Sequence, residues 1–318
     1  MSTVIEDQRD SLLQKIWEEH RGWVLTCAAL VISLAVWKVH GTETVFPKSW
    51  IEAFPFADKV NEFDKWIRPF IQPTTRAIGA GVTWFYELVV DWLTFTQWQI
   101  VFVILVLPAF GYGGLRLGLL AVFAVGSWLV LDMWDAAMET LSLMCISIAI
   151  SVTIGVLFGI MASQNDRFET IIKPILDTMQ TLPAFIYLIP AFYLFGLGAP
   201  GAILATVIYA LPPVVRLTNL GIRQVPADID EAATSFGATK IQSLVKVKIQ
   251  MAMPAIKLGI NQTVMMALAL VVLATFIAAP GLGDIVFRGM QRLNVGKALE
   301  GGVAIVLMAI VLDRVTYA

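Results

Sequence analysis

Charge is what this 318-residue chain has least of. Asp, Glu, Lys and Arg make up 14% of it against 58% hydrophobic residues, and the mean hydropathy is +0.77. Soluble domains carry about a quarter charged residues, so a water-solvated globular fold is excluded and the chain reads as an integral membrane protein. The net charge of -2 carries no information about acidic partners, and no nucleic-acid partner is expected; the placement of Lys and Arg along the chain is the informative quantity. Cysteine and histidine occur twice each. Cys27 and Cys145 fall inside apolar runs with no paired spacing, and His20 and His40 flank the first run without forming a cluster, so neither a disulfide nor a metal site is expected. The acidic start "MSTVIEDQRDSLLQKIWEEHRGW" is followed by no small-residue cleavage site, which argues against a removed signal peptide. The apolar runs from Thr140 onward read as essentially free of ionisable residues, which counts against a proton-coupled carrier. A phosphate-binding loop is lacking too. In "GMQRLNVGKA" six residues separate the glycines and Ala298 stands where a hydroxyl is required, so no nucleotide is expected to bind this chain.

What the chain has is long apolar runs. A bilayer core about 30 Å thick needs about 20 helical residues, and this length divides the chain into about eight spans: 23–39, 98–112, 115–133, 140–162, 175–196, 199–217, 258–279 and 301–315. The fold class is therefore all-α, a polytopic membrane helix bundle. Residues 40–97, with "VNEFDKWIRPF" and "WFYELVVDWL", have helically spaced aromatic and apolar residues and read as an interfacial, extracytoplasmic scaffold; a ninth span over 77–93 would have to carry Glu87 and Asp91. The acidic loop "DMWDAAME" belongs outside. Arg167 and Lys173, and the cluster Arg216, Arg223, Lys240, Lys246, Lys248 and Lys257, belong inside. This places residues 1–22 in the cytoplasm. "GDIVFRGMQRLNVGK" runs against the charge rule and reads as a partly structured external loop.

One stretch, "DEAATSFGATKIQSLVKVKIQMAMP", is charged and helix-patterned between apolar runs. Asp228 is positioned to cap a helix, with Glu231 three residues on in capping-box spacing. Ala232 and Ala233 leave a small-residue face, and Gly237, before Ala238, suits a left-handed stop. Thr239 and Gln242 repeat the capping spacing. Ile241, Leu244, Val245, Ile249 and Ala252 then form one apolar stripe, and Pro254 ends or kinks the second helix. Two readings stay open, an ordinary helical loop or a rigid peg for a soluble partner.

The same stretch resembles the coupling ("EAA") loop of permease subunits of binding-protein-dependent ABC importers, through "EAA", Gly237 after three intervening residues, Val247 and Ile249; Gln250 replaces the family's usual proline. "LDTMQTLPAFIYLIPAFYLFGLG", "YALPPVVRLTNLGIRQVP", "GINQTVMMALALVVLA", "PGLGDIVFRG" and "VLDRV" are similar to the ProW-like branch, for glycine betaine, proline betaine, choline and related compounds. The resemblance covers 140–318, with the coupling loop at 222–254. It implies a type I importer (MetI-like) core in the bacterial inner membrane, two permease copies, two ATPase subunits that bind ATP and Mg, and an extracytoplasmic binding protein. The permease itself is then no enzyme. Glycine betaine, proline betaine, choline or trimethylamine N-oxide is the implied substrate, and Asp228, Glu231, Ala232, Ala233, Gly237 and Ala238 take the coupling role.

For the translocation path the uncharged polar residues are the candidates: Thr178, Gln180 and Thr181, then Asn261, Gln262 and Thr263. Each alternatively forms interhelical hydrogen bonds. Phe185, Tyr187, Phe192, Tyr193 and Phe195 offer faces to a methylated ammonium, or pack against lipid and core. Met265 and Met266 gate the path or fill the core, and Pro280, Gly281 and Gly283 form an outer-loop hinge. Gly155 and Gly159 form a G-x-x-x-G pair, read as packing. An ion-coupled carrier or channel without an ATPase, and a membrane anchor without solute flux, are the competing functions.

Overall fold

The computed structural model describes residues 22–38 and 55–317, and every described element is helical. The chain divides into two units, Met1–Ile67 and Arg68–Ala318. The first contains the apolar helix α1 (Gly22–Lys38) and the opening turns of α2 (Phe56–Phe95). In the second, α2 continues as an amphipathic helix that buries Thr75, Gly79, Tyr86 and Leu93; of the segment read as an interfacial scaffold, residues 40–54 lie outside the described residues.

The helices that follow are α3 (Trp98–Val130), α4 (Trp134–Gln164), α5 (Asp166–Thr181), α6 (Leu188–Phe195), α7 (Ala199–Arg223), α8 (Ala227–Ser235), α9 (Lys240–Ile277), α10 (Leu282–Gln291) and α11 (Val295–Tyr317). Five of these, α3, α4, α7, α9 and α11, are each long and apolar enough to cross a bilayer, and the bent pair α5–α6 brings the number to six. The eight spans counted in the sequence differ for two reasons. α1 is an apolar helix of 17 described residues that is not among these six, and α3 is broken at Gly114, whose φ of 68° and ψ of -167° are not helical. At that break the chain folds back. A Cβ on Gly118 would lie 2.1 Å from the Phe110 ring, whereas eight residues of straight helix put the two about 12 Å apart along the axis. The two arms match the second and third spans read from the sequence.

Other boundaries move as well. The straight span expected at 175–196 is a pair of helices bent by 111°, because Pro183 holds Leu182 in an extended conformation at ψ 133°. The span expected from 258 begins at Lys240, since Pro254 lies inside an unbroken helix. The irregularity expected at Pro254 falls earlier, in a π-helical turn at Leu244–Lys248. The segment read as a partly structured external loop contains helix α10, which ends at Gln291 shortly before α11 begins at Val295.

The core is built on α7, which packs between α4 and α9. Ser147 and Ser151 donate to the carbonyls of Ile203 (3.5 Å) and Val207 (3.2 Å). One and two turns on, Gly155 and Gly159 meet Val214 and Thr218 so closely that an added Cβ would lie 2.2 and 2.5 Å from them. This four-residue repeat of small side chains lets two parallel backbones approach, as the G-x-x-x-G spacing suggests. On the opposite side α9 runs antiparallel. Gly259 packs on Val214, Gly221 on Ala252 and Ala255, and Thr263 donates to the Ala210 carbonyl at 2.9 Å.

Candidate coupling loop and translocation face

Helix α8 begins after Pro226, which has no side chain able to cap. The expected capping box between Asp228 and Glu231 is absent. Asp228 sits inside the first turn instead, where its charge complements the helix dipole. The other end closes as the sequence suggests. Gly237 takes φ 83°; its N–H bonds the Thr234 carbonyl at 2.9 Å and the Ala238 N–H bonds the Ala233 carbonyl at 3.1 Å, the paired bonds of a Schellman stop. Thr239 then opens α9 with a complete capping box, its hydroxyl accepting from the Gln242 N–H at 3.3 Å while the Gln242 side chain accepts from the Thr239 N–H at 2.9 Å. Both orphan donors at that helix start are satisfied locally.

Contacts between the two helices fix their angle. Asp230, on α8, accepts from the Ser243 hydroxyl and lies 2.8 Å from Lys248 Nζ. The hydrogen bond from Lys248, then that from Ser243, holds the Asp230 carboxyl below its usual range. Lys248 belongs to the π turn. That turn adds a residue to the winding and so divides the expected apolar stripe. Ile241 and Val245 face outward while Leu244, Ile249 and Ala252 pack against Ile222, Ile256 and Val156. The outward set is joined by Phe236, 94% exposed between α8 and its glycine stop. Glu231 and Ala232 are exposed and Ala233 and Ala238 half-buried, so the alanine face is open. Neither Phe236 nor the Asp230–Lys248 pair was singled out in the sequence; a large aromatic residue directly before a helix-stop glycine was the available signal.

Behind the loop, Arg223 gathers α4, α5 and α7. It donates to the Ala162 carbonyl (2.8 Å) and Asn219 (3.0 Å), and pairs with Asp166 (2.7 Å) and Glu169 (3.0 Å). Further along, Arg216 pairs with Asp177. This corrects the expectation of ion-free spans, since both residues lie in runs counted as membrane segments and each neutralises the other.

The path candidates separate into two groups. Thr263 is fully buried and bonded to Ala210, so it packs helices rather than lining a passage. Thr178 and Thr181 are exposed but return their hydroxyls to the Pro174 and Thr178 carbonyls. Gln180, Gln262 and Met265 are exposed, Met266 is half-buried, and Asn261 has a buried side-chain oxygen with no partner. Leu258, Gln262, Met265, Ala269 and Phe276 form one exposed face of α9, and Ile171, Ile175 and Thr178 one of α5. Phe185, just past α5, meets Phe276 edge to face at 5.3 Å, and Phe276 meets Phe287 at 5.1 Å. Tyr187, by contrast, is buried against Tyr209 and bonded to the Met179 carbonyl. The outer joint is tightly packed: Gly281 has φ 117°, and a Cβ there would lie 2.3 Å from Thr140 Oγ1. That hydroxyl accepts from the Leu282 N–H at 2.8 Å. Gly283 is packed on Thr275, and Pro280 is half-buried.

Residues 151–318, which carry this loop and both exposed faces, match the family described as "Binding-protein-dependent transport system inner membrane component". The chain belongs to that family. The permease is 40% identical over 267 residues to the glycine betaine/proline betaine transport system permease protein ProW of Escherichia coli (strain K12), covering 83% of this chain and 75% of that one. It is also 40% identical over 265 residues to the glycine betaine transport system permease protein OpuAB of Bacillus subtilis (strain 168), covering 82% and 93%. Among solved structures, an inward-facing MetNI methionine ABC transporter superposes with a TM-score of 0.50 at 21% identity, over 54% of this permease and 87% of that chain; this likeness is one of fold. The permease is thus an inner-membrane transport subunit rather than an enzyme, and it works in a binding-protein-dependent system.

Proposed function

We propose that this permease imports a zwitterionic methylated amine, glycine betaine first, as one half of a homodimeric path driven by separate ATPase subunits that bind ATP and Mg. The substrate class is that of the two relatives, whose names specify glycine betaine. The observation that carries the mechanism is the construction of α8: a nine-residue helix with an open alanine face, closed by a Schellman stop and fastened to α9 through Asp230. Such a peg suits a groove in a soluble partner, with Phe236 and Ile241 as apolar anchors. Movement of the peg passes through the π turn into α9, which carries Gln262 and Met265. The exposed faces of α5 and α9 suit cover by a second permease copy, and a path between the copies needs only weak polar contacts with a substrate delivered by the binding protein.

The test is uptake of labelled glycine betaine by vesicles containing the permease, its ATPase and its binding protein. Ala232→Phe together with Ala233→Phe blocks ATPase association and uptake while the permease still inserts and dimerises. Undiminished uptake by that variant refutes the coupling role of α8.

A further inference from the structure

The second unit contains a cavity of about 380 Å³ that takes no part in the mechanism above. One wall is a single face of α2, where Gln72, Arg76, Gly79 and Thr83 follow one another at steps of four, three and four. The other wall is the end of α6 with the start of α7, from Tyr193 to Pro200. The walls approach closely at Gly79, where an added Cβ would lie 3.9 Å from the Phe195 carbonyl oxygen.

The polar groups of the cavity differ in how they are engaged. Thr83 donates to the Gly79 carbonyl at 2.9 Å. Tyr193 is held by Arg68, which donates to its hydroxyl and lies 4.6 Å from its ring centroid. Arg76 has neither hydrogen bond nor ion pair among the described residues, so a permanent positive charge with five donors lines a cavity and is matched by no carboxylate. The surroundings say what meets it. α2 exposes Trp84, Phe85 and Trp92, and tryptophans on an amphipathic helix mark the level of lipid headgroups. At that level the abundant anion is a phosphate ester, which a planar guanidinium grips through paired hydrogen bonds.

The geometry points to a phospholipid site: Arg76 binds the headgroup phosphate of one membrane lipid in the cavity between α2 and the α6–α7 turn, tying the amphipathic helix to the transport core. The site does not depend on which solute is transported.

The test uses the full chain, purified in nonionic detergent and stripped of lipid, with native mass spectrometry as the readout. It is titrated separately with palmitoyl-oleoyl phosphatidylglycerol, the matching diacylglycerol and inorganic phosphate. Phosphatidylglycerol binds with a defined stoichiometry and diacylglycerol does not. Loss of one charge-assisted contact predicts that Arg76→Ala weakens phosphatidylglycerol binding about tenfold, with Arg76→Lys intermediate and the exposed Arg292→Ala unchanged. Arg76 makes no contact that folding depends on, and an unchanged thermal midpoint for Arg76→Ala verifies this. Equal binding of diacylglycerol, equal affinity in Arg76→Ala, or binding of inorganic phosphate without phosphatidylglycerol each overturns the assignment.

Discussion

Lys248 Nζ lies 2.8 Å from Asp230 Oδ2, an ion pair that joins helix α8 to the π turn of α9. Because these hydrogen bonds lower the Asp230 pKa, the contact is present above the unfolded carboxyl value of about 3.9. It is lost as pH falls through the lower folded value. Spin labels at Ala238 and Gln250 should report a fixed distance at neutral pH and a broadened one once the pH has fallen through that lowered value. Asp230→Asn should show the broadened distribution at every pH.

Gly237 should resist substitution according to backbone cost rather than side-chain size. No atom lies within 4 Å of an added Cβ there, but φ is 83°. Val in the left-handed region is disfavoured by about 1–2 kcal/mol, whereas Asn enters it readily. Gly237→Val is therefore expected to reduce ATPase pull-down and betaine uptake several-fold, and Gly237→Asn to retain most of both.

Gly155 and Gly159 set the distance between α4 and α7. Gly159→Leu collides with Thr218 and the Val215 carbonyl and should destabilise the permease by about 3 kcal/mol or more, at the upper end of overpacking costs. A lowered unfolding midpoint in detergent checks this. Gly302, with open space around it, tolerates Ala in the same assay.

Thr140 and Leu282 stitch α4 to the start of α10 through a buried bond of 2.8 Å. Thr140→Val leaves the Leu282 N–H unpaired at a cost of about 1–3 kcal/mol, and Thr140→Ser recovers most of it. Thermal unfolding of the three proteins gives the order.

The exposed face of α9 should lie against the second copy. In a Cys27→Ala, Cys145→Ala background, Met265→Cys, 43% exposed before substitution, should crosslink between copies on oxidation. Cysteine at Thr263, fully buried against Ala210, should not.

The features legible in the sequence are those whose physics is local. Low charge and long apolar runs require membrane helices whatever their arrangement. The Thr239–Gln242 box and the Gly237 stop follow from backbone donors and acceptors three to five residues apart, and the 155–159 glycine pair announces close packing because small side chains on one helix face permit little else. Asp228 lies two positions inside the helix rather than at its cap, because Pro226 starts the helix earlier than an acidic cap would.

What only the tertiary structure decided are relations between distant residues. Phe185 meets Phe276 across 91 positions and Asp177 pairs with Arg216 across 39. Thr263 differs from its neighbour Gln262 only by facing Ala210 rather than the open surface. Helical periodicity states which residues share a face, but the element that covers that face depends on how α4, α7 and α9 pack together. The sequence therefore determined that this is a membrane helix bundle with a capped helical loop, and packing alone determined which polar residues are spent on holding helices and which stay exposed.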